Sequence, residues 1–218
     1  WFGPHPEGGG RPAHGFVRTQ VWRVISATAA GAATRITLAC DQAVAGHPHW
    51  PHAATLHLEI ALGRTLSLSL TTHNTGTTEF ALTQALHSYF RVADIAAVEV
   101  RGLEAVPFID QLDPAGLKSE QHPVRITEEV DRIYQSLTKP VTIHDGTARR
   151  IEIVSRGSSS AVLWNPWIEK SARLGDMGED GYRRMLCFET ANAGADVITL
   201  APGASHWLAT TISATPTP

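Results

Sequence analysis

"TLHLEIALGRTLSLSLTTHN", residues 55–74, alternates apolar with polar or small side chains on either side of Gly63-Arg64. Period two is the spacing of a half-buried strand, whose successive side chains point to opposite faces. The "LGRT" join (62–65) makes the two runs a hairpin. "TRITLAC" (34–40) carries the same pattern upstream, and "VTIHDGTARRIEIVS" (141–155) reads as a second hairpin with Asp145-Gly146 at its turn. Further strands are predicted over "FVRTQVWRVISA" (16–27), "EFALTQALHSYF" (79–90) and "SAVLWNP" (160–166). Three more fall at "RRMLCFETA" (183–191), "DVITLAP" (196–202) and "ASHWLATTIS" (204–213). Helical pattern is confined to "NPWIEKSARLGD" (165–176) and a turn at "PFIDQLD" (107–113). Short strands punctuated by Gly, Pro, Asn and Asp predict a single all-β domain over 1–218, a sandwich or barrel.

Composition narrows the function classes. The chain has 218 residues, 43% hydrophobic and 18% charged, which is enough for one substantial core. A net charge of -3 gives no basic field for nucleic acid or an anionic membrane. No run approaches the roughly 20 apolar residues of a membrane span. Cys40 and Cys187 form no CxxC pair, so structural zinc and dithiol redox chemistry are unsupported, and reduced thiols in a cytoplasmic protein are expected. "GHPHWPH" (46–52) gathers His47, His49 and His52, but its prolines make an irregular loop and no cysteine or carboxylate joins them. No metal is assigned there.

Three stretches set polar residues into apolar strand pattern. In "LTQALHSYF" His87 shares a face with Ala85 and Tyr89, opposite Leu82, Leu86 and Phe90. In "RRMLCFETA" Glu189 shares a face with Met185 and Cys187, company that raises a carboxyl pKa. His14, Phe16 and Arg18 fall on one face if "HGFVR" is extended, with Gly15 permitting close approach of another backbone or a ligand. On pattern alone this is an all-β protein with a possible acid/base pair, because periodicity cannot bring distant strands together.

"RPAHGFVRTQVW", "ALHSYFRV", "EVDRIY", "VLWNPW" and "EDGYRRMLCFETAN", in this order and at these spacings, resemble the glucose-6-phosphate 1-epimerases, the hexose-6-phosphate mutarotases of the aldose 1-epimerase superfamily. The resemblance implies a galactose-mutarotase-like antiparallel β-sandwich (supersandwich) with few short helices. It implies interconversion of the α and β anomers of a hexose 6-phosphate without cofactor or metal, His87 and Glu189 being the catalytic acid and base. It further implies that Arg18 holds the substrate phosphate, that His14 is a second sugar contact, and that Asp131 accepts hydrogen bonds from sugar hydroxyls. A salt bridge of Asp131 to Arg132 or another arginine is the structural alternative. Trp164, Asn165 and Trp167 are candidates for the rim, or for the core.

The chain departs from the family in two ways. Ala13 stands where many relatives carry glutamine. The sequence opening "WFGPHP" lacks the arginine- and glycine-rich stretch and the strands that precede it in relatives, so unpaired sheet edges and a weaker phosphate site are expected. Two other readings stay open: a mutarotase of unphosphorylated aldoses, and a non-catalytic sugar-binding sandwich.

Overall fold

A computed structural model describes residues 1–4, 10–40, 47–113, 115–146 and 149–216. After a turn of 3-10 helix (Val17–Thr19) come β1 (Arg23–Ala30), β2 (Ala33–Ala39), β3 (Ala54–Leu62) and β4 (Leu66–Asn74). Short strands follow: β5 (Phe80–Leu82), β6 (Gln84–Leu86), β7 (Tyr89–Arg91), β8 (Val98–Arg101), β9 (Phe108–Asp110), β10 (Leu117–Lys118) and β11 (Val124–Arg125). The last third adds β12 (Val130–Tyr134), β13 (Val141–Asp145), β14 (Arg149–Arg156), β15 (Ser160–Asn165) and helix α1 (Trp167–Arg173). A second stretch of 3-10 helix (Gly181–Arg184) then leads into β16 (Met185–Asn192), β17 (Ile198–Leu200) and β18 (Ser205–Pro216).

Among the described residues the strands make two large antiparallel sheets. The longer runs β1-β2-β3-β4-β18-β14-β13-β8-β11, and the shorter β10-β9-β12-β15-β16-β6, with β7 also on β16. Both expected hairpins are present: Leu62 opposes Leu66, and Asp145 opposes Arg149, with residues 147–148 of the second turn outside the described set. The all-β sandwich expectation holds, and the helix predicted within 165–176 is α1.

Alternation explains the layering. Val98, Val100, Ile143, Ile151 and Ile153 point inward from the long sheet and meet Leu163, Leu186, Phe188 and Tyr134 from the short one. Each such side chain taken from water stabilises the fold by roughly 1.5–3 kcal/mol. A shared polar tie crosses the gap as well: Ser155 Oγ and Thr190 Oγ1 lie 2.7 Å apart.

Two strand predictions need correction. The run 16–27 is not one strand: His14 and Gly15 both have positive φ (60° and 65°), Val17–Thr19 coils, and extension begins only at Arg23. The run 79–90 breaks into β5, which pairs with β17, and β6 and β7, which both pair with β16. At "PFIDQLD" the turn is preceded by strand β9. Among the described residues the short sheet ends at β6.

Candidate active site on the outer face of the short sheet

Strands β12, β15 and β16 set the site by register. Ile133 opposes Val162, which opposes Glu189; one row on, Asp131 opposes Trp164, Trp164 opposes Cys187, and Cys187 opposes Tyr89. Odd-numbered β12 and β16 residues and even-numbered β15 residues therefore share the outer face, away from the sandwich core. Ile133, Val162, Ala191 and Ala193 form an apolar floor there, flanked by Phe2, Ala85, Ile109 and Trp164.

Glu189 stands in this floor at 2% exposure. Its Oε1 lies 3.3 Å from Nε2 of His87, whose side chain is 32% exposed, and its buried Oε2 has no hydrogen-bond partner. His87 sits in the break between β6 and β7. Its ring stacks on Tyr89 (centroids 4.7 Å apart, 15°) and meets Trp164 edge-on at 6.4 Å. Two side chains a hundred residues apart in sequence thus face one another across the end of the sheet.

Their titrations are pushed in opposite directions. Burial, helped by the charge of Asp131, raises Glu189 to about 8. Burial, with the charges of His14 and Arg18, lowers His87 to about 4. The raised glutamate matches the sequence reading. The histidine does not sit near neutrality as expected, because two basic neighbours and desolvation all disfavour its cation. Burial also pushes the Cys187 thiol up, keeping this free side chain out of the proton chemistry.

His14 and Arg18 do reach the site, though not through an extended strand. Gly15 bends the chain so tightly that a Cβ there would lie 3.0 Å from the Trp1 carbonyl oxygen. The amide of His14 donates to the Gly3 carbonyl at 2.8 Å, strapping residues 1–4 over the edge of the sheet. The His14 ring then stands 6.4 Å from that of His87 and 4.8 Å from Phe2. Phe16 parts from them and enters the core, stacked on His47 at 3.7 Å. Arg18 is exposed on its 3-10 turn and donates to the Ala13 carbonyl at 3.1 Å.

Arg18, His14 and His87 border a cavity of about 400 Å³ that continues past the β6 edge over Leu56, Leu58, Leu68 and Leu70. Glu189, Trp164 and Asp131 are not in its lining. Of the His87–Glu189 pair only His87 reaches this cavity, whose depth is walled by leucines.

Asp131 lies on the same face, half-buried, but its cation is neither Arg132 nor another arginine. Lys170 of α1 is 3.8 Å from its Oδ2, whereas Arg132 points to the other side and meets Glu120 at 3.0 Å. Trp164 lines the site. Asn165 instead binds the carbonyls of Tyr182 and Met185 at 2.9 Å each, and Trp167 packs on Tyr182. Sequence reasoning missed Lys170; a lysine on a short helix carries no local sign that it folds back over a sheet.

Among the described residues no group of three or more His, Cys, Asp or Glu side chains is placed to hold a metal ion. In the histidine-rich loop, His47 lies on Phe16 and His52 packs on Trp50 and Phe80. No helix among the described residues is long and apolar enough to cross a membrane.

An antiparallel sandwich with an imidazole and a buried carboxyl opposed on one outer face falls in the class of mutarotase-like β-sandwiches. Residues 1–213 match the family described as aldose 1-epimerase, and the chain belongs to that family. It is 36% identical over 198 residues to a Salmonella typhimurium protein named "Putative glucose-6-phosphate 1-epimerase", covering 89% of this chain and 65% of that one. A protein of the same name from Cenchrus ciliaris is 34% identical over 213 residues, covering 93% of this chain and 64% of the relative. The chain thus spans about two thirds of the length of these relatives. A crystal structure described as a "putative mutarotase" from Salmonella typhimurium superposes with a TM-score of 0.89 at 33% identity, covering 99% of this chain and 72% of that one.

Proposed function

We propose that this chain carries the acid–base site of a hexose 6-phosphate 1-epimerase, an isomerase that interconverts α and β anomers by opening and closing the pyranose ring. The observation that carries the reading is the 3.3 Å approach of His87 Nε2 to a buried Glu189 whose second oxygen is unpartnered. The names of its relatives support the substrate class.

Ring opening moves two protons in opposite directions: one onto the ring oxygen, one off the anomeric hydroxyl. A pair that holds a single proton between its members matches this demand without net change. In the empty site that proton rests on Glu189, as the raised carboxyl and lowered imidazole require. A phosphate dianion bound at Arg18 brings negative charge toward His87, offsetting the cations that suppress its protonation. The proton then transfers to Nε2, giving an imidazolium that donates to the ring oxygen and a carboxylate that accepts from the anomeric hydroxyl. Rotation about C1–C2 and the reverse transfers close the ring as the other anomer. Tyr89 and Trp164 supply aromatic walls, and Asp131 accepts from sugar hydroxyls. A cytoplasmic setting agrees with the free thiol of Cys187 and with a phosphorylated substrate.

Saturation-transfer NMR tests the reading directly. Anomer exchange of glucose 6-phosphate should exceed the buffer rate and exceed that of glucose. Arg18→Ala should raise KM for glucose 6-phosphate about tenfold or more while changing glucose little. Equal loss for both sugars would remove the phosphate role and favour an aldose mutarotase. Exchange at the buffer rate for both, with binding retained, would favour a non-catalytic sugar-binding sandwich.

A further inference from the structure

Asp131 feels or exerts the charge of three other carboxyl groups: Glu129 just ahead of its own strand, Asp110 from β9 and Glu189 from β16. One cation faces it, Lys170 from α1. The lysine ammonium donates to Glu129 Oε1 at 2.8 Å, lies 3.8 Å from Asp131 Oδ2, and sits 5.9 Å from the centre of the Trp164 ring. Three elements of the site, β12, β15 and α1, therefore converge on one ammonium group.

We propose that Lys170 is a positioning residue: tethered by Glu129 and seated beside Trp164, it holds the Asp131 carboxylate on the outer face as a hydrogen-bond acceptor for sugar hydroxyls. The proposal rests on the sugar site described above and adds a residue to it. The chemistry is that of a carboxyl among carboxyls. Without the lysine, burial and the like charges of Glu129 and Asp110 favour the protonated acid, which presents a donor where an acceptor is needed. Burial already raises Asp131, and Lys170 is the group that opposes it. Trp164 biases where the ammonium stands, since the ring face attracts it weakly. A longer consequence reaches Glu189. The charge of Asp131 helps raise the Glu189 carboxyl, so neutralising Asp131 would lower the point at which Glu189 ionises.

The test is a 13C NMR titration of the carboxyl groups in the wild-type chain, Lys170→Met and Lys170→Arg, with anomer exchange of glucose 6-phosphate measured on the same samples. In Lys170→Met the Asp131 midpoint should rise by about one pH unit or more, and Lys170→Arg should restore it toward the wild-type value. KM should rise about tenfold in the methionine variant with kcat changed less, and arginine should recover most of it. A helix-docking role alone would lower Tm in Lys170→Met with the Asp131 midpoint and KM unmoved, and that result overturns the proposal. If the wild-type chain exchanges no sugar phosphate, the functional reading fails, while the Asp131 titration still decides the role of Lys170.

Discussion

The two faces of β16 are equally dry and do opposite things. On the inner face Leu186 and Phe188 meet the isoleucines and valines of the long sheet, and Thr190 finds Ser155 across the gap. On the outer face Met185, Cys187 and Glu189 are buried too, yet one of them is a carboxyl group that keeps an oxygen without a partner. Burial on the inner face lowers the free energy of the fold. Burial on the outer face raises that of a charge, and so tunes a proton. A strand can serve both ends because its side chains alternate, and the pleat keeps packing and chemistry from competing for one position.

The largest expected effect breaks the outer face alone. Glu189→Gln removes the proposed proton acceptor and should lower anomer exchange by roughly 10²–10⁴-fold, read by saturation-transfer NMR. The same variant should be more stable than the wild type at alkaline pH. Because the folded-state pKa is raised, the stability that protonated Glu189 contributes is whole below its ordinary value of 4.5. It is lost as pH rises toward about 8. Glutamine has no proton to lose, so the Tm advantage of the variant should be near zero at pH 4 and several degrees at pH 8. An advantage of equal size at both pH values would mean that Glu189 is not held protonated by the fold.

Next in size is the inner face. Phe188, 1% exposed, fills the gap between the sheets, and Phe188→Ala should cost about 3–5 kcal/mol in denaturant unfolding. If it cost less than a Glu189 substitution, the division between the faces would be wrong. The smallest effect sharpens the comparison without mutation. Between about pH 4 and 8 the His87–Glu189 pair holds one proton. Above about pH 8 it holds none, and kcat/KM for glucose 6-phosphate should fall about tenfold per pH unit. Measurements above pH 7 keep the phosphate dianionic, so its own titration does not intrude. A flat alkaline profile to pH 9 would remove Glu189 as the carrier of that proton.

Much of this division was readable in the sequence, and for a physical reason. Period two placed Glu189 with Met185 and Cys187, and His87 with Ala85 and Tyr89, because alternation is a property of each strand by itself. That the two faces meet is a property of pairing, which no local pattern carries; only the resemblance to the epimerases supplied it. The run at 130–134 gave no strand signal because Asp131 and Arg132 put two charges side by side, one for each face. The bend at His14–Gly15 overrode the strand-like "FVRTQVW", since a close approach to the Trp1 carbonyl demands a backbone that propensity does not report. Lys170 needed the helix to be seen folding back. The lowered imidazole likewise needed His14 and Arg18 to be placed beside His87, and sequence spacing put them about 70 residues away.

The row that joins Ile133, Val162 and Glu189 has a consequence for how such a chain can change over time. One residue inserted in β16 ahead of Glu189 would trade carboxyl for phenyl, sending an acid into the hydrocarbon layer and a ring onto the outer face. Unless a bulge absorbs the extra residue, this ladder keeps its two faces apart only under edits made in twos, so parity rather than length is what it holds fixed.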